Sequence, residues 1–234
     1  MHHGAQLSSW LGPEGAAVTE AEWLACTDPT PMLDYVQGQV SERKLRLFAC
    51  ACARVVWDRL PAGLMRDAVE TAERYADGLA TDQERQSFAH RLYSQPAEQF
   101  AGAGGNQFTE DRENVSAYGL ALLTVNHMRI LSRMPITTGW MMSRLATGDR
   151  RPHLLRDVVG DPFRPVAADP AWPTPNIVAT AQAIYADRAF DLLPTLADAL
   201  EDAGCDQPDL LAHCRGDGPH VRGCWAIDLL LGKG

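Results

Sequence analysis

Five residues able to bind a soft metal fall between positions 205 and 224: Cys205, His213, Cys214, His220 and Cys224. Thiolate and imidazole donors suit zinc, which takes four of them in a tetrahedron. The chain holds six cysteines and seven histidines in 234 residues, so this segment concentrates them. Gly216, Gly218 and Pro219 form a turn that can fold His220 and Cys224 back towards His213 or Cys214. The expected ligand set is His213, Cys214, His220 and Cys224, with Cys205 as a further donor. The spacing is not that of a zinc finger, which would show Cys-x-x-Cys or His-x-x-x-His pairs. On a helix, adjacent His213 and Cys214 point about 100° apart, which makes joint ligation of one ion awkward. The simpler reading makes Cys214 and Cys224 small buried hydrophobes, with the two histidines bonded to loop carbonyls. Both readings stay open at this level.

Other reactive types are less promising. Cys50 and Cys52 form a Cys-x-Cys pair, but two helical positions lie about 200° apart. Cys52 fits the apolar stripe of its helix, Cys50 lies off it, and packing explains the pair better than a metal. No Gly-x-Ser-x-Gly elbow is present. The glycine-rich run 101–106 lacks the Gly-Lys-Ser/Thr of a phosphate loop. Carboxylate neighbours such as Glu110/Asp111 and Glu201/Asp202 read as solvated charge or as helix-dipole partners, depending on the helix end. Arg164, Trp172 and Arg222 are the candidate binding residues. Arg164 could grip a carboxylate or phosphate across a cleft from the His/Cys segment, or simply tie its loop down. Arg43, Lys44 and Arg46 read as a solvated helix face.

The elements that must position these residues are helical. Thr19 and Thr81 open capping boxes with Glu22 and Glu84. Thr30-Pro31 reads as another helix start, with proline at the first helical position. Ser41 caps the clearest helix, about 42–59, in which Leu45, Phe48, Ala49, Cys52, Val55 and Val56 recur at spacings of three and four. Further helices are expected near 64–78, 82–93, 110–132, 139–146, 152–159, 174–187, 192–203 and 210–214, with a last apolar segment at 225–231. Four prolines exclude a regular helix from the loop near 160–173, where Phe163 and Trp172 are expected to pin the chain to the core. No segment alternates as a strand would. The expected fold is all-α, an irregular bundle of about nine helices. The break at 101–106 divides it into subdomains 1–100 and 107–234, unless the two form one continuous domain.

A formal charge of −9 and a pI near 5.2 disfavour nucleic acid or an anionic membrane as partner. No run approaches the roughly 20 apolar residues of a membrane span. The first residues lack a signal peptide's basic and apolar regions. A cytoplasmic location with reduced thiols is the resulting expectation.

Several stretches together resemble a family of uncharacterised bacterial proteins. They are Thr19 to Leu24 (TEAEWL), Arg43 to Cys52 (RKLRLFACAC), Ala72 to Gly78 (AERYADG), Asp161 to Val166 (DPFRPV) and His213 to Trp225 (HCRGDGPHVRGCW). The resemblance covers the first and last thirds of the chain. That family forms large paralogous sets with no assigned reaction, which implies a recognition or regulatory module with a variable middle. Ala53 stands where another cysteine is common in the family, which weakens the case for an N-terminal metal site. The expected function is a non-catalytic helical module acting on a protein partner. The alternative is a zinc protein, or an enzyme, built on the C-terminal His/Cys segment.

Overall fold

The computed structural model describes residues 18–60, 62–94, 124–125 and 150–234. Among them are ten α-helices and no strand, as the periodicity requires. They are α1 (Glu20–Ala25), α2 (Pro29–Val36), α3 (Glu42–Val55), α4 (Leu64–Ala76), α5 (Asp82–Tyr93), α6 (Arg150–Val159), α7 (Pro175–Asp187), α8 (Leu193–Asp202), α9 (Pro208–Arg215) and α10 (Trp225–Leu231). Two 3-10 turns, Trp57–Arg59 and Phe190–Leu192, complete the set. The glycine-rich break and the helices expected at 110–132 and 139–146 lie outside the described residues, save Thr124 and Val125.

Local chemistry sets the ends. Both capping boxes form, with Glu22 and Glu84 reaching back to the backbone N–H of Thr19 and Thr81. Ser41 and Thr174 cap α3 and α7. One expected start shifts: Asp28, not Thr30, caps α2, accepting from the Thr30 N–H at 3.0 Å and placing Pro29 at the first helical position.

The buried side chains form two apolar clusters. The first gathers α1 to α5 and α6 around Trp23, Phe48, Leu92, Leu154 and Leu155. The second gathers α7 to α10 around Ile177, Ile184, Leu196, Leu210 and Ile227. Helix α6, expected in the C-terminal subdomain, thus packs with the N-terminal helices, against α2 and α3, and also touches α10. The proline-rich stretch joins the clusters. Phe163 stacks on Tyr35 at 5.0 Å between ring centres, and Trp172 is buried in the second cluster.

Helix α3 is central. Every residue from Arg46 to Ala53 is buried, because small Ala and Cys side chains let α4 and α6 approach from different sides. Cys50 is therefore as buried as Cys52, at 1% exposure each, although only Cys52 fits a single apolar stripe. The solvated face expected for the basic cluster is also corrected. Arg43 bonds Asp228 at 2.6 Å, Asp77 at 3.0 Å and the Tyr185 hydroxyl at 2.8 Å. Lys44 Nζ reaches Asp228 at 2.6 Å and donates to the carbonyls of Val158 and Gly223. Arg46, 2% exposed, donates to the Thr124 carbonyl at 2.6 Å. These cations are inside because two carboxylates, Asp77 and Asp228, and three carbonyls, of Thr124, Val158 and Gly223, all later in the chain, meet them there. Breaking one such buried pair typically costs about 3–5 kcal/mol, since the other charge is left uncompensated.

Candidate metal centre

The C-terminal turn folds over α6 and is held there backbone to side chain. Asp157, on the buried face of α6 beside Leu154 and Val158, accepts the Val221 N–H on Oδ2 at 2.9 Å. Lys44 grips the Gly223 carbonyl from the other side at 2.9 Å. Gly223 has φ +92°, and a Cβ there would lie 2.8 Å from Leu47 Cδ1, so only glycine lets the turn press this close to α3.

Four potential ligands converge where this turn meets α6. Donor atoms of Asp157, His213, His220 and Cys224 all lie within 4.8 Å of one another. His213 Nε2 is 3.1 Å from Cys224 Sγ and 3.2 Å from Asp157 Oδ1. His220 Nδ1 is 2.8 Å from the same Oδ1. In a tetrahedron of zinc bonds near 2.0–2.3 Å, ligand atoms sit about 3.3–3.6 Å apart. These three spacings are a few tenths of an ångström tighter and the others stay within 4.8 Å, so small shifts of the side chains would admit an ion. The remaining atoms are oriented as outer partners of a metal site should be. His220 Nε2 lies 3.1 Å from the Gly216 carbonyl, which fixes that nitrogen as the protonated one. Asp157 Oδ2 is taken by Val221, leaving Oδ1 to face the imidazoles.

The electrostatics couple the four groups closely. Burial pushes the Asp157 carboxyl up, but hydrogen bonds and charge from His213 and His220 outweigh it and leave it below the usual value. Burial lowers His220, yet its bond to Asp157 lifts it above the ordinary histidine value overall. Burial and the charge of Asp157 push the Cys224 thiol well up, against a weaker pull from the backbone N–H groups of Ile227 and Ala226. With Nε2–H directed at Gly216, a neutral His220 would turn its Nδ1 lone pair on a carboxylate. A cation between them, or a second proton, removes that repulsion.

The sequence expectations fare unevenly. His213, His220 and Cys224 come together. Cys214 is not in the group: one helical step from His213, it turns into the second cluster, where burial raises its thiol to about 12. Cys205 is buried in that same cluster. Asp157 was missed. Its signal was a carboxylate three positions from Leu154 on an otherwise apolar stripe. Arg164 does not face the His/Cys group. It is half-exposed, pairs with Glu20 at 2.7 Å and lies near Asp161 and Asp209. It lines a cavity of about 360 Å³ with Lys44, Trp225 and Asp228, to which none of the four ligands contributes. Trp172 is core. Arg222 lies over the Tyr185 ring at 5.0 Å.

No family model, curated protein or solved structure matches this chain. Among the described residues no helix is long and apolar enough to cross a membrane.

Proposed function

We propose that this protein is a zinc-binding helical module, with Asp157, His213, His220 and Cys224 as the ligands. The observation that carries the reading is the convergence of two imidazoles, a thiol and a carboxylate from three separate segments, with Asp157 and Cys224 buried. Two nitrogens, one sulfur and one oxygen form a borderline donor set, which suits zinc better than magnesium or calcium. Four protein ligands complete a tetrahedron, and closed sites of this kind are structural. Zinc would fasten the 216–224 turn to α6 and so join the two apolar clusters. This chain's own groups supply the orientation: Gly216 sets the His220 ring, Val221 sets the carboxylate, and Lys44 holds the backbone before Cys224.

The reading as an interaction module predicts an exposed apolar patch. The large exposed hydrophobics among the described residues are Leu24, Leu79, Tyr93 and Leu192, each on a different element. They give no argument for a docking face.

Titrating zinc into chelator-treated protein tests the proposal. The expected result is one site per chain. Asp157→Asn, which keeps the size and the Val221 bond, weakens it about a hundredfold or more, since even outer partners of ligands are worth 10–100-fold. Equal affinity in the variant would overturn the assignment.

A further inference from the structure

His220 also lines a second, separate cavity of about 250 Å³, walled by Arg54, Glu73, Arg188, Phe190 and Arg222. Three guanidinium groups line it with one carboxylate, Glu73, and a second carboxylate, Asp77, stands behind Arg222, which leaves an excess of about one positive charge in a chain whose net charge is −9. Glu73, 3% exposed in its side chain, accepts from Arg54 Nε at 3.1 Å and Nη2 at 2.8 Å, and from Arg188 Nη2. A guanidinium has five N–H donors, so among the described partners Glu73 occupies two from Arg54 and one from Arg188. Arg222 is less satisfied still. Its Nε is buried and, among the described residues, without a hydrogen bond; it stands 3.6 Å from Asp77 Oδ2. Arg43 and Lys233 pair with Asp77 Oδ1, and Oδ2 has no hydrogen bond of its own among the described residues, so Asp77 gives Arg222 charge compensation but no hydrogen bond. Glu70 also pairs with Arg54 at 3.7 Å, but it is half-exposed, so solvent screens that pair.

The backbone adds a second, independent observation. Arg188 has φ +56°, and it is the one non-glycine residue with positive φ among those described. It closes α7 in the left-handed conformation that glycine ordinarily supplies. Such residues cluster at active and binding sites, and this side chain bonds Glu73 on the cavity wall.

We propose that this cavity binds a small phosphate-class dianion, held by Arg54, Arg188 and Arg222. A phosphate monoester carries a charge of about −1.5 to −2 at pH 7, which the net positive wall attracts and the unused guanidinium N–H groups can bond. The planar guanidinium fork suits pairs of phosphate oxygens. The volume falls below the roughly 300–1,000 Å³ of sites for drug-sized molecules, so the occupant is phosphate itself or the end of a small ester. Phe190 supplies an apolar wall beside the anion. The proposal does not rest on zinc, although the two sites share His220.

The test is calorimetric titration of inorganic phosphate into the full chain, with zinc removed by chelator and ionic strength held fixed. Saturable binding at one site per chain is expected. Arg188→Gly should weaken it about tenfold or more, the loss of a charge-assisted contact, while relieving the backbone at φ +56°. Arg222→Gln should weaken it similarly and leaves Glu73 with both its cations, so the conclusion does not hang on one variant folding. Circular dichroism checks that each variant keeps its helices. Absence of saturable binding at millimolar phosphate overturns the proposal. Unchanged affinity in both variants does so too, as does binding that appears only in zinc-loaded protein, which would place the anion on the metal.

Discussion

Gly223→Ala tests how the turn is positioned. The added Cβ meets Leu47 Cδ1 at 2.8 Å and Leu47 Cβ at 3.0 Å, and Leu47 is 0% exposed, so it has little room to yield. A non-glycine residue at φ +92° adds backbone strain of about 1–3 kcal/mol, and overpacking a core adds about 1–3 kcal/mol. The variant should therefore lose roughly 2–6 kcal/mol, the sum of the two effects. At about 2–4 °C per kcal/mol for a chain of this size, the melting temperature falls by roughly 4–24 °C. Because Gly223 sits between His220 and Cys224, zinc affinity should fall as well. Thermal melts of four proteins (native, Gly223→Ala, Leu47→Ala and the double variant) separate clash from strain. Leu47→Ala removes the obstructing atoms, so the double variant should be more stable than the sum of the single losses by about 1–3 kcal/mol. Strict additivity would refute the close approach, and an unchanged melting temperature in Gly223→Ala would refute the whole positioning argument.

Further outcomes follow from the same contacts. In chelator, the His220–Asp157 pair stabilises the fold fully below the ordinary histidine value of 6.5. That contribution is lost as pH rises through the raised value, so metal-free protein melts lower at higher pH. Zinc-loaded protein should show the opposite slope, because zinc competes with protons for its ligands; parallel slopes in melts from pH 6 to 8 would count against the centre. In native protein at neutral pH, iodoacetamide should modify Cys26, which is only half-buried, and spare the other five cysteines, all buried. Cys52 and Cys214 are further protected by thiols raised to about 12, and peptide mapping before and after unfolding reads the difference. Arg164→Ala should change stability by less than about 1 kcal/mol in chemical denaturation, since its partners Glu20 and Asp209 are solvated.

Much of the architecture was legible because it is local. A threonine three residues before a glutamate makes a capping box wherever it occurs, and α1 and α5 begin as their sequences require. Proline spacing marked the loop that carries Phe163 and Trp172. What local pattern could not supply was the partner across space. Arg43 and Lys44 look solvated until Asp228, 185 and 184 positions later, is folded onto them. Cys50 looks peripheral until helices flank α3 on more than one side. The candidate site divides along the same line. His213, His220 and Cys224 were visible as a cluster of donor types within one segment. Asp157 belongs to another helix, and only tertiary packing brings it in. Cys214 fails for the reason periodicity anticipated, since one helical step turns it about 100° from His213.

The proposed metal centre lies at the junction of α6 and the C-terminal turn. Elemental analysis of the purified native protein, beside a His220→Ala/Cys224→Ala variant, tests it most directly. About one zinc per native chain, absent from a variant that keeps its helices, is the predicted result. A native protein that is fully folded, metal-free and unaltered in stability by added zinc would rule the centre out.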